Sequence, residues 1–447
     1  MKKSVQDSQV SRSATLRLGL LFALIYFIQG LAEPTEGLIA QPVRSMLSQW
    51  NKSPGEISHF MAIVAAPWTI KPLYGLMIDF VPLLGSRRRK YLLLATFATS
   101  ASLLWLAFSM PQKGATNELL MLLIIPTLAV AFSDVVVDAL MIEKGQPLGM
   151  TGRLQSVQWG SMYAATVLAG SLGGWLSEHD RQDLGFLICG LGAAVTFCTA
   201  FVWIRDTPPV SATAPLTPSS AHPAEQSETL QADAPDSAGS RLAIMRRSLT
   251  SRPFLIAAAF LFLWNFNPFC STIQHLHMTK TLNLSEQQYG HTYSLFSVGS
   301  IGACLMYGLL CRIIPARWLI HLAIAAGVVA TLAYLLAVGP RSAFVVSVIA
   351  GIAYMLGNLI QMDVAARMCP PAIAGTMFAM LMSVSNIAII LSTSLGGWLY
   401  EIVQMQHGPI HAYTVLIWLG SGTTALCWGL LIFKPQHPQS VAAPPGE

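Results

Sequence analysis

One hexapeptide, Ser-Leu-Gly-Gly-Trp-Leu, occurs twice in this chain of 447 residues. The first copy occupies residues 171–176 and the second residues 394–399, an offset of 223 residues, which is half the chain length. A second repeated sequence supports the same division, because Tyr-Gly-Leu at residues 74–76 recurs at residues 307–309. Self-similarity at this period predicts two halves that share one architecture.

The repeat lies in a chain that is 53% hydrophobic and 11% charged, whereas soluble domains carry roughly 25% charged residues. Apolar runs of about 20 residues recur along it, long enough to cross about 30 Å of hydrocarbon as helices. The composition therefore predicts an integral membrane protein. The first run begins near Leu16 and has no small-residue cleavage site, so we expect it to be retained as a helix.

Loop residues between the apolar runs predict twelve membrane-spanning helices. Their approximate positions are 15–47, 56–80, 90–110, 118–142, 153–177, 184–204, 252–279, 288–311, 316–338, 342–366, 373–402 and 411–433. Residues 206–250 are rich in Pro, Ser, Ala and Thr, which predicts a flexible linker. The linker would join an N-terminal six-helix bundle (1–205) to a C-terminal six-helix bundle (251–435), with a disordered tail at 436–447.

Basic residues are distributed unevenly between the two sets of loops. One set holds 19 Lys and Arg residues and the other holds 6, with Lys71 inside a span. The positive-inside rule then places both termini and the linker in the cytoplasm, with the spans in the cell inner membrane. The net charge of +5 is explained by these loops, so no nucleic-acid partner is expected. Seven scattered cysteines predict free thiols and no metal site.

A small residue, an acid and a basic loop follow one another around the end of the second span. Gly75, Asp79 and the run Arg87, Arg88 and Arg89 resemble the signature of the major facilitator superfamily. Gly75 would permit close helix approach, and Asp79 at the membrane edge would need a basic or helix-N-terminal partner. Such a cluster would form a cytoplasmic gate. The alternative is that the arginines only enforce topology.

Three further stretches resemble one family within that superfamily. They are Ala-Pro-Trp-Thr-Ile-Lys-Pro-Leu-Tyr-Gly at 66–75, Ser-Asp-Val-Val-Val-Asp-Ala-Leu at 133–140 and Gly-Arg-Leu-Gln-Ser-Val-Gln-Trp-Gly at 152–160. Together they are similar to the folate–biopterin transporter (BT1) family. The resemblance implies a proton-linked carrier of pteridine-type compounds, working as a uniporter or a symporter.

Ionisable residues inside the spans are few, and such residues usually face a wet cavity or a partner. Asp134 and Asp138 are four residues apart, so both lie on one face of span four. Lys71 lies at nearly the same membrane depth as Asp134, which makes a Lys71–Asp134 pair plausible. One acid would carry a proton and Lys71 would bind an anionic substrate group. The alternative is a purely structural ion pair.

Glu33 and Glu36 form a second acidic pair, three residues apart on the first span, with Pro34 between them. Pro34 should loosen the local helix hydrogen bonding. Glu33 lies beyond the membrane midplane, toward the outside, where a buried carboxylate could take up a proton. Glu36 shares its face and has the same candidate role. The alternative is a wet vestibule in which neither carboxylate matters.

Polar side chains on three spans are candidates for substrate contact. One group surrounds an Asn-x-Asn-Pro break in span seven, and the other two form stripes on spans five and ten. The residues are Asn265, Asn267 and Gln274; Gln155, Gln158 and Trp159; and Tyr354, Asn358 and Gln361. The Trp159 ring would stack on a flat heterocycle, or would pack between helices instead.

The sequence as a whole predicts an all-α membrane protein with the major facilitator fold, built from two pseudo-symmetric six-helix bundles. We expect a monomeric secondary carrier with no enzyme activity and no cofactor. It would move a small anionic or heterocyclic, folate-like solute by alternating access, together with protons. Carriage of another bulky solute, such as a muropeptide or a siderophore, is the alternative within transport. A non-transporting membrane assembly factor is the rival class, against which the membrane-buried acids count.

Overall fold

The described part of the chain is almost entirely helical. A computed structural model describes residues 2–81, 83, 86, 88–145, 151–204, 250–367 and 374–431. The helices of the N-terminal half are α1 (Lys2–Ala32), α2 (Ala40–Gln49), α3 (Pro54–Ala65), α4 (Lys71–Phe80), α5 (Arg89–Phe108), α6 (Thr116–Gly145), α7 (Thr151–Glu178) and α8 (Gln182–Trp203). Those of the C-terminal half are α9 (Arg252–Asn265), α10 (Ser271–Leu276), α11 (Glu286–Ile313), α12 (Ala316–Leu332), α13 (Pro340–Arg367), α14 (Ala374–His407), α15 (Pro409–Ala425) and α16 (Cys427–Leu430).

Each predicted span coincides with a helix or with consecutive helices. Within the described residues, eight helical stretches are long and apolar enough to cross a membrane, and Leu16–Ala32 and Phe254–Asn265 are shorter apolar helices. Helices α7 and α11 are 28 residues each and pack against one another. The count of twelve spans and the side on which the termini lie stay predictions. The tail 436–447 and the linker, apart from residue 250, lie outside the described residues.

Prolines interrupt two of the predicted spans. In span seven α9 ends at Asn265 and α10 begins at Ser271, so the expected break at the Asn-x-Asn-Pro stretch is present. In span two a 3₁₀ segment, Ala66–Ile70, separates α3 from α4. It carries Pro67 and is followed by Pro72, and neither proline has an N–H for the helical ladder. Carbonyl groups at both breaks accept from side chains instead, since Tyr74 donates to Pro67 and Thr423 donates to Phe266.

The two halves meet along two helix pairs, α7 with α11 and α3 with α14. One glycine of each repeated Gly-Gly pair lies in these contacts. A Cβ atom on Gly174 would lie 2.9 Å from the carbonyl oxygen of Glu286, and one on Gly397 would collide with Ser58. Only glycine allows these backbones to approach so closely. These two repeated glycines therefore serve close packing between the halves.

Each half has apolar clusters of its own. In the N-terminal half one of them includes Tyr26, Tyr74 and Phe132, with the Tyr74 and Phe132 rings packed edge to face at 5.4 Å between centroids. In the C-terminal half Phe269 packs in the same way on Tyr413, at 5.2 Å. The acids of α6 lie beside the first cluster, which places them in a low-dielectric surrounding.

Candidate functional site

A buried ion pair joins α4 to α6. Lys71, the first residue of α4, donates from Nζ to Oδ2 of Asp134 at 2.6 Å, and the two side chains are 22% and 6% exposed. The other carboxylate oxygen, Oδ1, accepts from Nε2 of Gln29 on α1 at 2.5 Å. The predicted Lys71–Asp134 pair is confirmed, and Gln29 is a third member that the sequence analysis missed.

Asp138 lies one turn further along α6 and is held by neutral donors. Its Oδ1 atom accepts from the hydroxyl of Tyr26 at 2.6 Å and from Nε2 of Gln158 at 3.1 Å. Tyr26 is fully buried. The two acids of α6 therefore differ, since Asp134 bonds to a cation and Asp138 bonds to a hydroxyl and an amide. Gln158, a predicted substrate contact, is engaged by the carboxylate in this structure.

Trp68 of the 3₁₀ segment connects the ion pair to Glu33. Its ring lies 4.4 Å from Nζ of Lys71, within the range of a cation–π contact. Its Nε1 atom donates to Oε1 of Glu33 at 3.3 Å. Glu33 also accepts from the backbone N–H groups of Thr35 and Glu36 and from the Thr35 hydroxyl. The Glu33 carboxylate thus closes the turn after α1 and is 9% exposed.

Neutral amides form a cluster in the C-terminal half. Gln361 on α13 accepts from Nδ2 of Asn265 at 3.3 Å and donates to Oδ1 of Asn358 at 2.7 Å. Asn265 is the last residue of α9, so this bond joins the broken span seven to span ten. Asn358 and Gln361 are 8% and 2% exposed. This cluster offers hydrogen bonds but no charge.

Two predicted residues do not join that cluster. Asn267 donates to the hydroxyl of Thr331 at 3.0 Å and accepts from the backbone N–H of Phe269, so it stabilises the break in span seven. Gln274 hydrogen-bonds to Tyr334. Both residues therefore have local structural contacts.

Aromatic rings line the boundary between the halves. Trp159 stacks on Tyr163 with 6.2 Å between ring centroids, and Tyr163 donates to the sulfur of Met355 on α13 at 2.8 Å. Tyr354 contacts the rings of Trp264 and Phe296, each at 5.7 Å, and is 36% exposed. Trp159 takes part in packing, while Tyr354 stays partly exposed. The side chain of Gln155 lies outside the described part of the chain.

Glu36 lies where the two halves touch. Its carboxylate accepts from the hydroxyl of Tyr293 on α11 at 2.9 Å and pairs with Arg44 of α2 at 3.4 Å. Arg44 donates to Ser271 on α10 at 3.0 Å and to the carbonyl oxygen of Thr35 at 2.8 Å. Glu36 is 56% exposed, whereas the Arg44 side chain is 5% exposed. Glu36 is therefore largely exposed, and it also hydrogen-bonds to the C-terminal half.

A second carboxylate, Glu286, binds both halves at the same end of the helices. It accepts from Nε2 of Gln41 at 2.9 Å and from the hydroxyl of Ser45 at 3.0 Å, both on α2. It also lies 2.8 Å from Nε2 of His275 on α10, whose ring is 1% exposed. Glu286 was not among the predicted site residues. The available signal was an acid two residues before the predicted span 288–311.

The predicted gate residues show contacts within the N-terminal half. Arg88 donates to Glu143 at 2.9 Å, and Arg89 donates to the carbonyl oxygen of Phe201 at 2.7 Å. A Cβ atom on Gly75 would meet no described atom within 4 Å. The role of Gly75 in a gate stays a prediction. Arg87 and the side chain of Asp79 lie outside the described residues.

Solved structures show which class of protein this architecture defines. A variant of the nucleoside transporter NupG is similar with a TM-score of 0.69 at 14% identity, covering 93% of this chain and 100% of that one. A D-xylose–proton symporter is similar with a TM-score of 0.66 at 13% identity, covering 93% and 98%. The fold is therefore that of major facilitator transporters.

The sequence comparisons give the family. The profile of the BT1 family matches residues 29–441, so the chain belongs to the BT1 family. A folate-biopterin transporter of Synechocystis sp. is 28% identical over 415 residues, covering 90% of this chain and 78% of that protein. A probable folate-biopterin transporter of Arabidopsis thaliana is 24% identical over 443 residues, covering 87% and 89%. The predicted family is confirmed.

Proposed function

We propose that the chain is a proton-coupled carrier of a flat, anionic heterocycle of the pteridine or folate kind. It would act as a monomer in the cell inner membrane, with both termini cytoplasmic, and would work by alternating access. The observation that carries the proposal is the Lys71–Asp134 pair, buried in the N-terminal half with Asp138 one turn away. The printed names of the curated relatives, which include folate and biopterin, support the substrate class.

The ion pair supports a coupling between proton uptake and anion binding. While Asp134 is ionised, it holds the Lys71 ammonium at 2.6 Å. A proton on Asp134 cancels that attraction, and Gln29 keeps the neutral acid in place by hydrogen bonding. Lys71 is then free to bind a carboxylate of the substrate, helped by its 22% exposure. Proton uptake and anion binding would thus favour one another.

Asp138 would be the second residue that accepts the proton. It lies on the same face of α6 as Asp134, one helical turn away. Tyr26 and Gln158 both bond to the same oxygen, Oδ1. These neutral donors stabilise the carboxylate without a fixed cation, so a proton can arrive without first breaking an ion pair. Glu33 and Glu36 remain further candidates, and Glu36 is the more accessible of the two.

Recognition of the heterocycle would fall to the C-terminal half. The amide cluster of Asn265, Asn358 and Gln361 presents donors and acceptors that match the ring nitrogens and carbonyl of a pteridine. Tyr354 has an exposed aromatic face on which a flat ring could stack. A charged site in one half and a neutral site in the other would place a bound solute between two moving bodies.

The test uses purified protein in proteoliposomes. Labelled folate and pterins are supplied with and without an imposed proton gradient, and exchange is measured separately at equal pH on both sides. We expect gradient-driven accumulation by the wild type. Asp134→Asn should retain exchange but lose accumulation, and Lys71→Gln should lose both. Asp183→Asn, which removes a surface carboxylate that binds Arg181, is the matched control and should behave as wild type.

Three outcomes would contradict the proposal. Equal accumulation by the wild type and Asp134→Asn would exclude coupling through this acid. Transport of siderophores or muropeptides in place of pterins would show that the proposed substrate class is wrong and that the carrier serves another class of solute. No flux of any of these compounds, with the protein co-purifying with another membrane complex, would favour the assembly-factor alternative.

A further inference from the structure

Trp68 lies at a point where the backbone cannot follow an ordinary helix. Its carbonyl oxygen would normally accept from the N–H of the residue four positions later, but that residue is Pro72 and has no N–H. The carbonyl instead accepts from Nδ2 of Asn386 at 2.9 Å. Asn386 belongs to α14, in the opposite half of the protein. Pro72 thus leaves the Trp68 carbonyl oxygen without a helical donor, and Asn386 of the opposite half donates to it.

The side chain of the same residue contacts the charged site. The Trp68 ring lies 4.4 Å from the Lys71 ammonium, and the indole N–H donates to Glu33 at 3.3 Å. Its ring is therefore fixed between a cation that bonds to Asp134 and a carboxylate at the end of α1. One residue touches the ion pair through its side chain and the opposite half through its backbone.

We propose that Trp68 is a positioning residue that transmits the state of the Lys71–Asp134 pair to α14 through Asn386. The proposal rests on the proposed function only in taking Asp134 and Lys71 as the groups that change state. When Lys71 leaves Asp134, its contact with the Trp68 ring changes as well. Because Trp68 belongs to a short 3₁₀ segment and lies between Pro67 and Pro72, a movement of its ring is carried to the carbonyl that Asn386 binds.

The coupling can be measured without any substrate. Hydrogen–deuterium exchange is followed by mass spectrometry on peptides covering residues 379–395 of α14, with the full chain in lipid nanodiscs. Four proteins form a double-mutant cycle: the wild type, Asp134→Asn, Asn386→Leu and the double variant. Ser385→Ala replaces Asn386→Leu in a matched control cycle, because the Ser385 hydroxyl bonds to Leu381 of its own helix.

We expect Asp134→Asn to raise exchange in this part of α14 by about fivefold, a typical size for coupling between sites. In the Asn386→Leu background, Asp134→Asn should add no further increase. In the Ser385→Ala background it should add the full increase. Trp68→Phe, which keeps a ring beside Lys71 and loses the indole N–H, should retain most of the response, whereas Trp68→Leu should lose it.

The proposal is overturned if Asp134→Asn leaves the exchange of α14 unchanged. It is also overturned if the increase is the same with and without Asn386, because the two residues would then act independently. If Asn386→Leu does not fold, the cycle is run with Trp68→Leu and Trp68→Phe alone. Failure of wild-type transport would contradict the proposed function and leave the result of this cycle intact.

Discussion

Replacing Lys71 by methionine should lower the free energy of unfolding by about 3 kcal/mol at pH 8. Nζ lies 2.6 Å from Asp134, whose side chain is only 6% exposed, so the variant leaves a buried carboxylate without its cation. Breaking such a pair by removing one partner costs about 3–5 kcal/mol. We use the lower end because Gln29 still donates to Asp134.

A double replacement separates the cost of a lone charge from the loss of the pair. Lys71→Met with Asp134→Leu removes both charges and keeps apolar volume at both positions. Such replacements of buried ion pairs are often neutral or stabilising. We therefore expect the double variant to be within about 1 kcal/mol of wild type. It should nevertheless be inactive in transport, because neither proton nor anion could be held.

The assay is unfolding of the detergent-purified proteins at pH 8. Lys71→Met should be less stable than both the wild type and the double variant, because only Lys71→Met leaves a buried charge without its partner. The reasoning is refuted if Lys71→Met matches wild type. It is refuted equally if the double variant is less stable than Lys71→Met.

Three further predictions concern contacts around this site. Tyr26→Phe removes the 2.6 Å bond to Asp138 and should reduce proton-driven uptake about fivefold or more in proteoliposomes; unchanged uptake would exclude a role for that bond. Gly174→Val should separate α7 from α11 and raise hydrogen exchange over residues 286–294, and wild-type exchange there would contradict it. Glu286→Ala removes three hydrogen-bonded partners and should raise exchange over residues 40–49 about tenfold, whereas the control Asp183→Asn should not.

Features set by helical spacing could be predicted from the sequence. Asp134 and Asp138 share a face because they are one turn apart, and the depth of Lys71 followed from its distance to the membrane edge. The ion pair is therefore where the sequence placed it. The repeated glycines were predictable for a similar reason, since small residues in a membrane helix mark close packing.

Contacts between the halves could not be predicted in the same way. Glu286 and Gln41 are separated by 245 residues, and their contact depends on how each helix is rotated toward the other half. Helical periodicity gives the faces of one helix but not the partner of each face. The 3₁₀ segment had a local signal in Pro67 and Pro72, yet the acceptor that it supplies to Asn386 becomes visible only in three dimensions.

The two halves differ most at the positions that carry charge. The offset of the repeat places Gly357 opposite Asp134 and Gln361 opposite Asp138. A Cβ atom on Gly357 would lie 2.8 Å from the ring of Trp264, so an acid could not be accommodated there without displacing the tryptophan. The C-terminal half therefore excludes the first carboxylate by packing.

The counterpart of the second carboxylate is the neutral amide of Gln361. In the register of the Tyr-Gly-Leu repeat, Cys304 is the counterpart of Lys71, so that position of the repeat also carries no charge in the C-terminal half. Gln361→Asp would place a carboxylate next to Asn265 and Asn358, two neutral amides, in a position that is 2% exposed. We expect this variant to lose stability at pH 8 and to regain part of it at pH 5, without gaining a second coupled proton. Transport with a doubled proton stoichiometry would contradict the assignment of charge handling to the N-terminal half alone.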